Sequence, residues 1–134
     1  MSERPIENLK NARIVEHTCA GTVRKGMAVK DSSGSVVEAA AVGDNAIGIA
    51  LDAGVNLGKI RVAYFGWPAI VRTLVGTGGC TLHAPAKFVS DGATNATVGG
   101  GTTKLRVWGT WLEAGVVGDL AALDLSTASW TVGS

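Results

Sequence analysis

A near-repeat within the chain places the strongest constraint on its fold. The segment GIALDAGVNLG at residues 48–58 returns as GTWLEAGVVG at residues 109–118, 61 residues later. With one residue deleted from the second copy, six positions are identical, and Asp52 is matched by Glu113. Stacked repeat arrays need at least three units. Two copies therefore predict a pair of related β modules, at about 26–65 and 84–125, inside one domain.

The remaining sequence is typical of strands and turns. Gly accounts for 19 of 134 residues, about twice its normal share. The aliphatic residues form short runs that end at Gly, Asp, Asn or Ser, a pattern typical of strands bounded by turns. Hydrophobic residues make up 46% of the chain, enough to bury a core. The sequence predicts an all-β fold, either a compact small β-barrel or a β-tulip-like domain, built from two Gly-rich modules.

The N-terminal segment differs from the rest in composition. Residues 1–20 are polar and contain few Gly, and the first thirty residues carry six bases against three acids. We predict an extended arm over residues 1–20, followed by a single β domain over 21–134. The arm packs either on its own core or on a partner. Its candidate contact residues are Ile6, Leu9, Arg13 and Ile14.

Charge and hydropathy argue against two classes of partner. The formal net charge is +1, which gives the chain no overall basic surface for nucleic acid. No apolar run approaches the ~18 residues of a membrane span, and the N-terminus lacks the apolar segment of a signal peptide. We expect neither nucleic acid nor membrane as a partner, and synthesis in the cytosol.

Two cysteines and two histidines form the only candidate metal site in the sequence. His17 and Cys19 are two residues apart and would share one face of a strand, while Cys80 and His83 lie about sixty residues further on. Zinc sites are usually built on a tight Cys-x-x-Cys pair with a close second pair. These mixed, distant pairs favour two buried thiols and two surface histidines, with no metal and no cofactor.

No catalytic motif is present in the sequence. There is no G-x-S-x-G, and the acidic residues lie mostly in turns, where Asp bonds its own backbone. The segment GGGTTK at residues 99–104 lacks the Lys-Ser/Thr that completes a phosphate-binding loop. The sequence therefore predicts a protein that is not an enzyme.

Tryptophan is enriched in protein interfaces, and the chain has four. In the segment KLRVWGTWLEAG, strand alternation puts Leu105, Val107 and Trp111 on one face. The opposite face supplies the predicted interface residues, which are Lys104, Arg106 and Trp108.

Several features together resemble the small capsid cement, or head-decoration, proteins of tailed bacteriophages. A polar N-terminal arm is followed by V-x-x-G-M-A-V at 23–29 and G-x-V-V at 34–37. AIGIALDA at 46–53 and GKIRV at 58–62 come next, and a weaker second copy ends in GDLAAL. The resemblance covers most of residues 21–125.

The resemblance implies a structural virion protein without catalytic residues. Proteins of this family bind the outer surface of an icosahedral head, usually as homotrimers, and hold neighbouring capsomers together. The implied partners are the major capsid protein and further copies of the chain. The implied location is the outer surface of the virion, after synthesis in the host cytoplasm, with the N-terminal arm reaching onto the capsid lattice.

Two alternatives come from other functional classes. A biotinyl- or lipoyl-type carrier is also a small duplicated β protein, and Lys30 lies before a turn as a modified lysine would, but the flanking residues that a ligase needs are missing. A tail-associated or glycan-binding β module of the virion would bind sugars through an exposed Trp67 or Trp108.

Overall fold

The computed structural model describes residues 7–39, 45–98 and 104–132, and within them the fold is all-β, as predicted. Their only helical element is a 3₁₀ turn, Leu125–Thr127, and none of them belongs to a helix suited to crossing a membrane. The strands are β1 Ile14–Thr18, β2 Ala28–Ser32, β3 Ser35–Glu38, β4 Ala46–Ala50, β5 Lys59–Tyr64, β6 Ile70–Leu74, β7 Pro85–Val89, β8 Gly92–Asn95, β9 Lys104–Val107, β10 Gly109–Trp111, β11 Leu120–Asp124 and β12 Ser129–Val132.

The first module is a five-stranded sheet that closes into a small barrel. Its strand order is β1-β5-β4-β2-β3, and all four pairings are antiparallel. Directly after β1, Cys19 forms a parallel bridge with Val36 of β3. The N–H of Ala20 donates to the carbonyl of Val36 at 2.9 Å. This contact joins the two edge strands just beyond the end of β1 and closes that end of the barrel.

The second module repeats the first strand for strand. Its order is β6-β11-β10-β7-β8. A parallel bridge between Val75 and Ala93 joins its edge strands as Cys19 and Val36 do in the first barrel. Strands β9 and β12 pair separately as a two-stranded ribbon. The predicted duplication is thus present in the fold, and it extends beyond the predicted limits to include β1 and β6.

From β4 and β10 onward, equivalent residues of the two copies are 61 positions apart without any deletion. Ile49 pairs with Ala63 in the first barrel as Thr110 pairs with Asp124 in the second. The N–H of Leu57 donates to the carbonyl of Cys19 at 2.8 Å, and the N–H of Gly118 donates to that of Val75 at 2.9 Å. Gly118 is therefore the equivalent of Leu57, and the predicted match of Gly118 to Gly58 is wrong by one residue.

A close approach of neighbouring strands explains the shared glycine at the start of the repeat. A Cβ atom on Gly48 would lie 2.2 Å from the carbonyl oxygen of Ala63. A Cβ atom on Gly109 would lie 2.2 Å from that of Asp124. Real Cβ atoms do not come this close to oxygen, so both strands require glycine here.

The two barrel interiors contain different residues at equivalent positions. In the first barrel Ala50 is surrounded by larger aliphatic residues, including Val29 and Ile60. In the second barrel Trp111 takes the place of Ala50 and is fully buried. The equivalents of Val29 and Ile60 there are Ala86 and Ala121, also buried. Smaller neighbours thus make room for the indole, because a closely packed interior tolerates swaps that conserve total volume.

The outer face of the first barrel packs against the second barrel. One mixed cluster contains Ala28, Ile49 and Ala63 of the first barrel together with the interior of the second. Aromatic residues lie in the same cluster, with Trp108 centred 4.7 Å from Phe65 and 5.1 Å from Phe88. The first sheet therefore buries residues on both faces, Val29 and Ile60 in its own interior and Ala28 and Ile49 against the second barrel.

The predicted boundary of the N-terminal arm needs correction. Residues Ile14–Thr18 form β1 and pair with β5, so they belong to the first barrel. Before them, Asn8 forms a bridge with Ile70, and half-buried Leu9 packs against the mixed core cluster. This part of the arm lies on the second barrel of its own chain. Ile6 is outside the described residues.

Candidate binding surface

Each barrel carries an exposed apolar loop at the repeated segment, and we call the two loops the tips. Tip 1 covers residues 53–58 and tip 2 covers residues 114–119. Val55 and Leu57 on tip 1 are 67% and 78% exposed, and Val116 and Val117 on tip 2 are 68% and 55% exposed. Surface apolar residues occurring singly are common, but grouped ones indicate a binding site.

The base of each tip is fixed to its barrel by main-chain hydrogen bonds. Gly54 and Val23 exchange two N–H···O bonds of 2.9 Å, and Gly115 and Cys80 exchange two of 3.0 and 3.1 Å. A Cβ atom on Gly54 would come within 2.8 Å of the Cys19 sulfur, so glycine is needed where the loop crosses the interior thiol. The tips are therefore held firmly at their base while their side chains reach solvent.

An acidic residue before each tip bonds the neighbouring strand. Asp52 accepts hydrogen bonds from the backbone N–H of Arg61 at 2.9 Å and from its guanidinium at 2.9 and 3.0 Å. These bonds, first those of the guanidinium and then that of the backbone, lower the pKa of Asp52. In the second barrel Glu113 accepts the N–H of Ala122 at 2.9 Å and pairs with Arg72 of β6. Both copies thus have an acidic residue at this position, but its arginine partner comes from β5 in the first barrel and from β6 in the second.

The turn at tip 1 holds a leucine in an unfavourable backbone conformation. The N–H of Gly58 donates to the carbonyl of Val55 at 2.9 Å, and Leu57, the third residue of this turn, has φ of 69°. Glycine is the usual residue at such a position, since a side chain disfavours positive φ. Strained, exposed residues cluster at functional sites, and Leu57 is both.

The surroundings of the two tips differ in charge. Beside tip 1 lies an apolar groove bordered by Val23, Arg24 and Lys59. Beside tip 2 lies a more polar depression bordered by Glu113 and Asp119. The two tips thus have the same backbone shape, with basic residues next to one and acidic residues next to the other.

The outer edge of β1 offers a second kind of contact. In β6, the N–H of Ile70 donates to the carbonyl of Asn8, and the N–H of Arg72 donates to the carboxylate of Glu7. The N–H of Leu74 donates to the carbonyl of Gly26. Ile14, Glu16 and Thr18 occupy the same places in β1. Among the residues that the structure describes, nothing accepts their outward N–H groups. The edge of β6 is covered, and that of β1 is open.

The structure describes only part of the predicted interface on β9, and the prediction for one of its residues is wrong. Trp108 is fully buried in the mixed core cluster and has no surface to offer a partner. It follows the last residue of β9, and the strand pattern restarts at Gly109 of β10. Lys104 and Arg106 lie in β9, but their side chains fall outside the described part of the structure.

The other predicted contacts of the arm lie near the β1 edge. Ile14 is 39% exposed at the start of β1. Arg13 precedes it, and its guanidinium lies 5.6 Å from the centre of the Tyr64 ring and 6.0 Å from that of Trp67. Trp67 itself is 48% exposed.

The four candidate metal ligands are not brought together. Cys19 is buried in the interior of the first barrel, and Cys80 in the cluster that fills the second. His17 bonds the hydroxyl of Tyr64 at 2.7 Å, and His83 lies in a turn with φ of 70°. Within the described ranges no three His, Cys, Asp or Glu side chains group closely enough to hold a metal ion. Burial raises the pKa of the Cys80 thiol to about 11, with the Glu113 charge adding to the effect.

The sequence matches no family model, and no curated protein is significantly similar to it. The candidate surface therefore rests on geometry, that is, on the exposed tips and the open edge of β1. Tip 1 lies inside the repeated segment, and tip 2 does so except for its last residue, so the repeat was the signal for them. Its periodic apolar residues, however, also fit a buried strand.

Proposed function

We propose that this protein is a structural virion protein that binds the outer surface of an icosahedral phage head and stabilises its lattice. In this proposal it acts as a homotrimer on the major capsid protein and catalyses no reaction. The two tips make the apolar contacts with the capsid. The open edge of β1 accepts an extended capsid segment.

The observation that carries the proposal is the pair of tips with four exposed aliphatic side chains. Each is presented by a loop bonded to a closed barrel, so little conformational freedom is lost on binding. Burying an exposed Val or Leu side chain contributes about 1.5–3 kcal/mol. Two such loops in one chain supply two moderate contacts, which suits a protein that joins neighbouring units of a lattice.

The open edge of β1 supports the same proposal by a different interaction. An edge strand with free N–H groups adds a partner strand through main-chain hydrogen bonds. In the second barrel the chain covers the equivalent edge with its own residues Glu7 and Asn8. The described chain has no second segment of this kind for β1, which leaves that edge to a partner.

Self-association strengthens the proposed binding through avidity. Three linked copies bring six tips to the lattice, and once one copy binds, the others are held at high effective concentration. Individual contacts of modest affinity are then sufficient. The proposal thus requires no single strong anchor, in line with the absence of an exposed aromatic residue from both tips.

Cosedimentation with expanded, undecorated phage heads tests the proposal, with native mass measured on the same sample. We expect saturable binding at a ratio that fits the threefold positions of the lattice, and a free mass of three chains. The paired changes Val55→Asp with Leu57→Asp, and Val116→Asp with Val117→Asp, should each weaken binding at least about tenfold, since tenfold corresponds to only 1.4 kcal/mol.

Val98→Asp is the matched control, because Val98 is 51% exposed and lies on neither tip. It should bind heads like the unchanged protein, and all variants should keep the same far-ultraviolet circular dichroism. If the unchanged protein fails to bind heads of its own phage, the proposal is wrong. If the tip variants bind as well as Val98→Asp, the tips are not the contact surface.

A further inference from the structure

The open edge of β1 has a covered counterpart in the second barrel. There Asn8 forms an antiparallel bridge with Ile70 of β6, and the two residues exchange N–H···O bonds of 2.9 and 3.0 Å. One residue earlier, the carboxylate of Glu7 accepts the N–H of Arg72 at 3.2 Å. We call residues 7–8 the cover of β6. The second barrel thus shows what kind of segment fits this edge, namely a short extended one that runs antiparallel to the strand.

The charge at the centre of the edge is reversed between the two barrels. The central outward residue of β6 is the basic Arg72, and the residue of the cover that bonds its N–H is the acidic Glu7. The same place in β1 is taken by the acidic Glu16. The ammonium of Lys59 lies 3.7 Å from its carboxylate, but both side chains are largely exposed, so this contact neutralises the charge only weakly. A segment added to β1 therefore meets a negative charge where the cover of β6 meets a positive one.

The two arginines nearest to Glu16 along the sheet have other partners. Arg61, which lies opposite Glu16 on β5, donates two guanidinium hydrogen bonds to Asp52 at 2.9 and 3.0 Å. Arg13 is an odd number of residues from Glu16 and so projects to the other face of the strand, where its guanidinium lies against the Tyr64 ring. The Glu16 carboxylate is thus the charge that an added strand would meet on its own face.

We propose that the β1 edge binds an extended capsid segment that runs antiparallel to β1 and carries a lysine or arginine opposite Glu16. The inference rests on the proposed function for the identity of the partner and adds the chemistry by which the edge selects it. The outward N–H groups of Ile14, Glu16 and Thr18 bond carbonyls of the segment. Opposite charges directly across two strands stabilise their pairing, and like charges destabilise it. The main chain thus supplies affinity, and Glu16 supplies the choice among segments.

Charge disfavours two other occupants of the edge, both of them parts of a second copy of the chain. If β1 paired with β1 of a second copy through all three outward N–H groups, Glu16 would lie directly opposite its own counterpart. If the cover of a second copy lay on β1 as it lies on β6, the carboxylate of Glu7 would come to the N–H of Glu16, beside a side chain of the same charge. Both arrangements place like charges together, which destabilises strand pairing. The edge is therefore suited to a different chain.

Amide hydrogen exchange of the full chain, followed by NMR, tests whether the edge is open and whether it binds a strand. In the free protein the N–H groups of Ile14, Glu16 and Thr18 should exchange rapidly. Those of Ile70 and Leu74, which are bonded to Asn8 and Gly26, should exchange slowly. The probe is the peptide acetyl-STTKTVS-amide, whose lysine lies opposite Glu16 in the antiparallel register. We expect it to bind saturably and to slow the exchange of the three β1 amides.

The charge preference is tested with the acidic peptide acetyl-STTETVS-amide and with a charge reversal in the protein. The acidic peptide should bind the unchanged protein at least about fivefold more weakly than the lysine peptide. Glu16→Lys should reverse the order of the two peptides. Asp31→Lys is the matched control, because it makes the same change of charge at an exposed residue of β2 and should leave the order unaltered.

The main-chain contribution is tested at the first residue of β1. Ile14→Pro removes an outward N–H that is not bonded to β5, and proline is tolerated at such a place in an edge strand. It should weaken binding of the lysine peptide at least about tenfold, since the ring also obstructs the added strand. Ile14→Ala keeps the N–H and should weaken binding by less than about threefold. Both variants should keep the melting temperature of the unchanged protein within a few degrees.

Three outcomes would overturn the inference. The first is the absence of saturable binding of the lysine peptide at millimolar concentration, and the second is equal binding of the two peptides. The third is a native mass that falls in Ile14→Pro, which would show that the edge joins copies of the chain.

Cosedimentation with phage heads separates this inference from the proposed function. Glu16→Lys should weaken head binding, and Asp31→Lys should not. If heads bind the unchanged protein and Glu16→Lys equally, the edge does not select the capsid segment, and the capsid proposal stands on the tips. If the peptides behave as expected but the unchanged protein binds no heads, the capsid proposal is wrong, and the charge preference of the edge belongs to another partner.

Discussion

Leu57 and Gly118 occupy the same position of the same turn in the two barrels, with φ angles of 69° and 91°. Their N–H groups donate to equivalent carbonyls, those of Cys19 and Val75. A leucine in the left-handed region costs roughly 1–2 kcal/mol relative to glycine. Gly118 avoids this cost in the second barrel. In the first barrel Leu57 has the strained conformation and exposes a large apolar side chain.

We expect Leu57→Gly to raise the free energy of unfolding by up to about 1 kcal/mol, after allowing for the greater freedom of glycine in the unfolded chain. Gly118→Leu should lower it by about 1–2 kcal/mol, although nothing lies within 4 Å of a Cβ built there. Urea unfolding of both variants measures the two effects. A loss of stability in Leu57→Gly would show that the leucine makes a stabilising contact. Head binding should weaken in the same variant.

Trp111 and Ala50 are equivalent positions with opposite side-chain sizes, and this difference predicts how the second barrel responds to mutation. Trp111→Ala should destabilise the protein by about 3–5 kcal/mol, because it leaves a large void in a closed interior. Adding Ala86→Val and Ala121→Ile places the residues of the first barrel around that void. The triple variant should regain part of the loss.

Thermal unfolding of the single and triple variants checks this exchange. The matched control is the pair Ala86→Val and Ala121→Ile with Trp111 retained, which should be destabilised by overpacking. If this pair is as stable as the unchanged protein, the interior has spare room and the volume argument fails.

The two thiols should be unreactive in the folded protein. Burial raises the pKa of both Cys19 and Cys80, that of Cys80 to about 11. Since only the thiolate reacts, a disulfide reagent at pH 8 should label neither residue within minutes in native buffer and both in denaturant. Rapid labelling of one thiol in native buffer would show that its barrel opens.

The Cys80 thiol should also affect the free energy of unfolding at alkaline pH. A thiol whose pKa is raised by folding favours the folded state below its ordinary pKa of about 8.5. That contribution is lost as the pH rises through 8.5 towards 11, the folded value for Cys80. Cys80→Ala should therefore lose less stability than the unchanged protein between these pH values, as measured by urea unfolding.

The contribution of Asp52 to stability should have the opposite pH dependence, since it is lost at acidic and not at alkaline pH. Its pKa is lowered by the hydrogen bonds from Arg61, so its contribution is complete above the ordinary value of about 3.9 and is lost as the pH falls through the lower, folded value. The pair is partly exposed, with side-chain exposures of 56% for Arg61 and 36% for Asp52, which limits the effect to less than about 1 kcal/mol.

We expect Asp52→Asn to be less stable than the unchanged protein at pH 6, with the difference shrinking below pH 4. Asp31→Asn, at an exposed aspartate of β2, is the control and should show no such trend. A difference for Asp52→Asn that stays constant down to pH 2 would mean that the loop depends on side-chain shape and not on charge.

The fold class and the duplication were predictable because they depend on glycine. Gly48 and Gly109 are fixed by the close approach of neighbouring carbonyls, so the repeat kept them while other residues changed. The sequence match also misplaced Gly118 by one position, because identity of residue type favoured Gly58 over Leu57. Only the hydrogen bonds of the turn reveal that a leucine and a glycine are equivalent.

The side-chain exposures were harder to predict than the strands. Alternation along KLRVWGTW placed Trp108 on the outside, but β9 ends at Val107 and a barrel strand begins at Gly109, so two successive residues are buried. Strand periodicity describes one strand at a time and does not show where one strand stops. The tips were missed for a related reason, since an apolar run with glycines fits a buried strand as well as an exposed loop.

The different interiors of the two barrels also limit how their gene segments can recombine. A crossover within the repeat that joined β4 of the first copy to β11 of the second would place Ala121 beside Ala50 in place of Ile60, leaving part of the interior unfilled. The reciprocal product would force Trp111 against Ile60 in place of Ala121. Either hybrid would be strongly destabilised, so the filling of each barrel protects the duplication from being erased by exchange between its own halves.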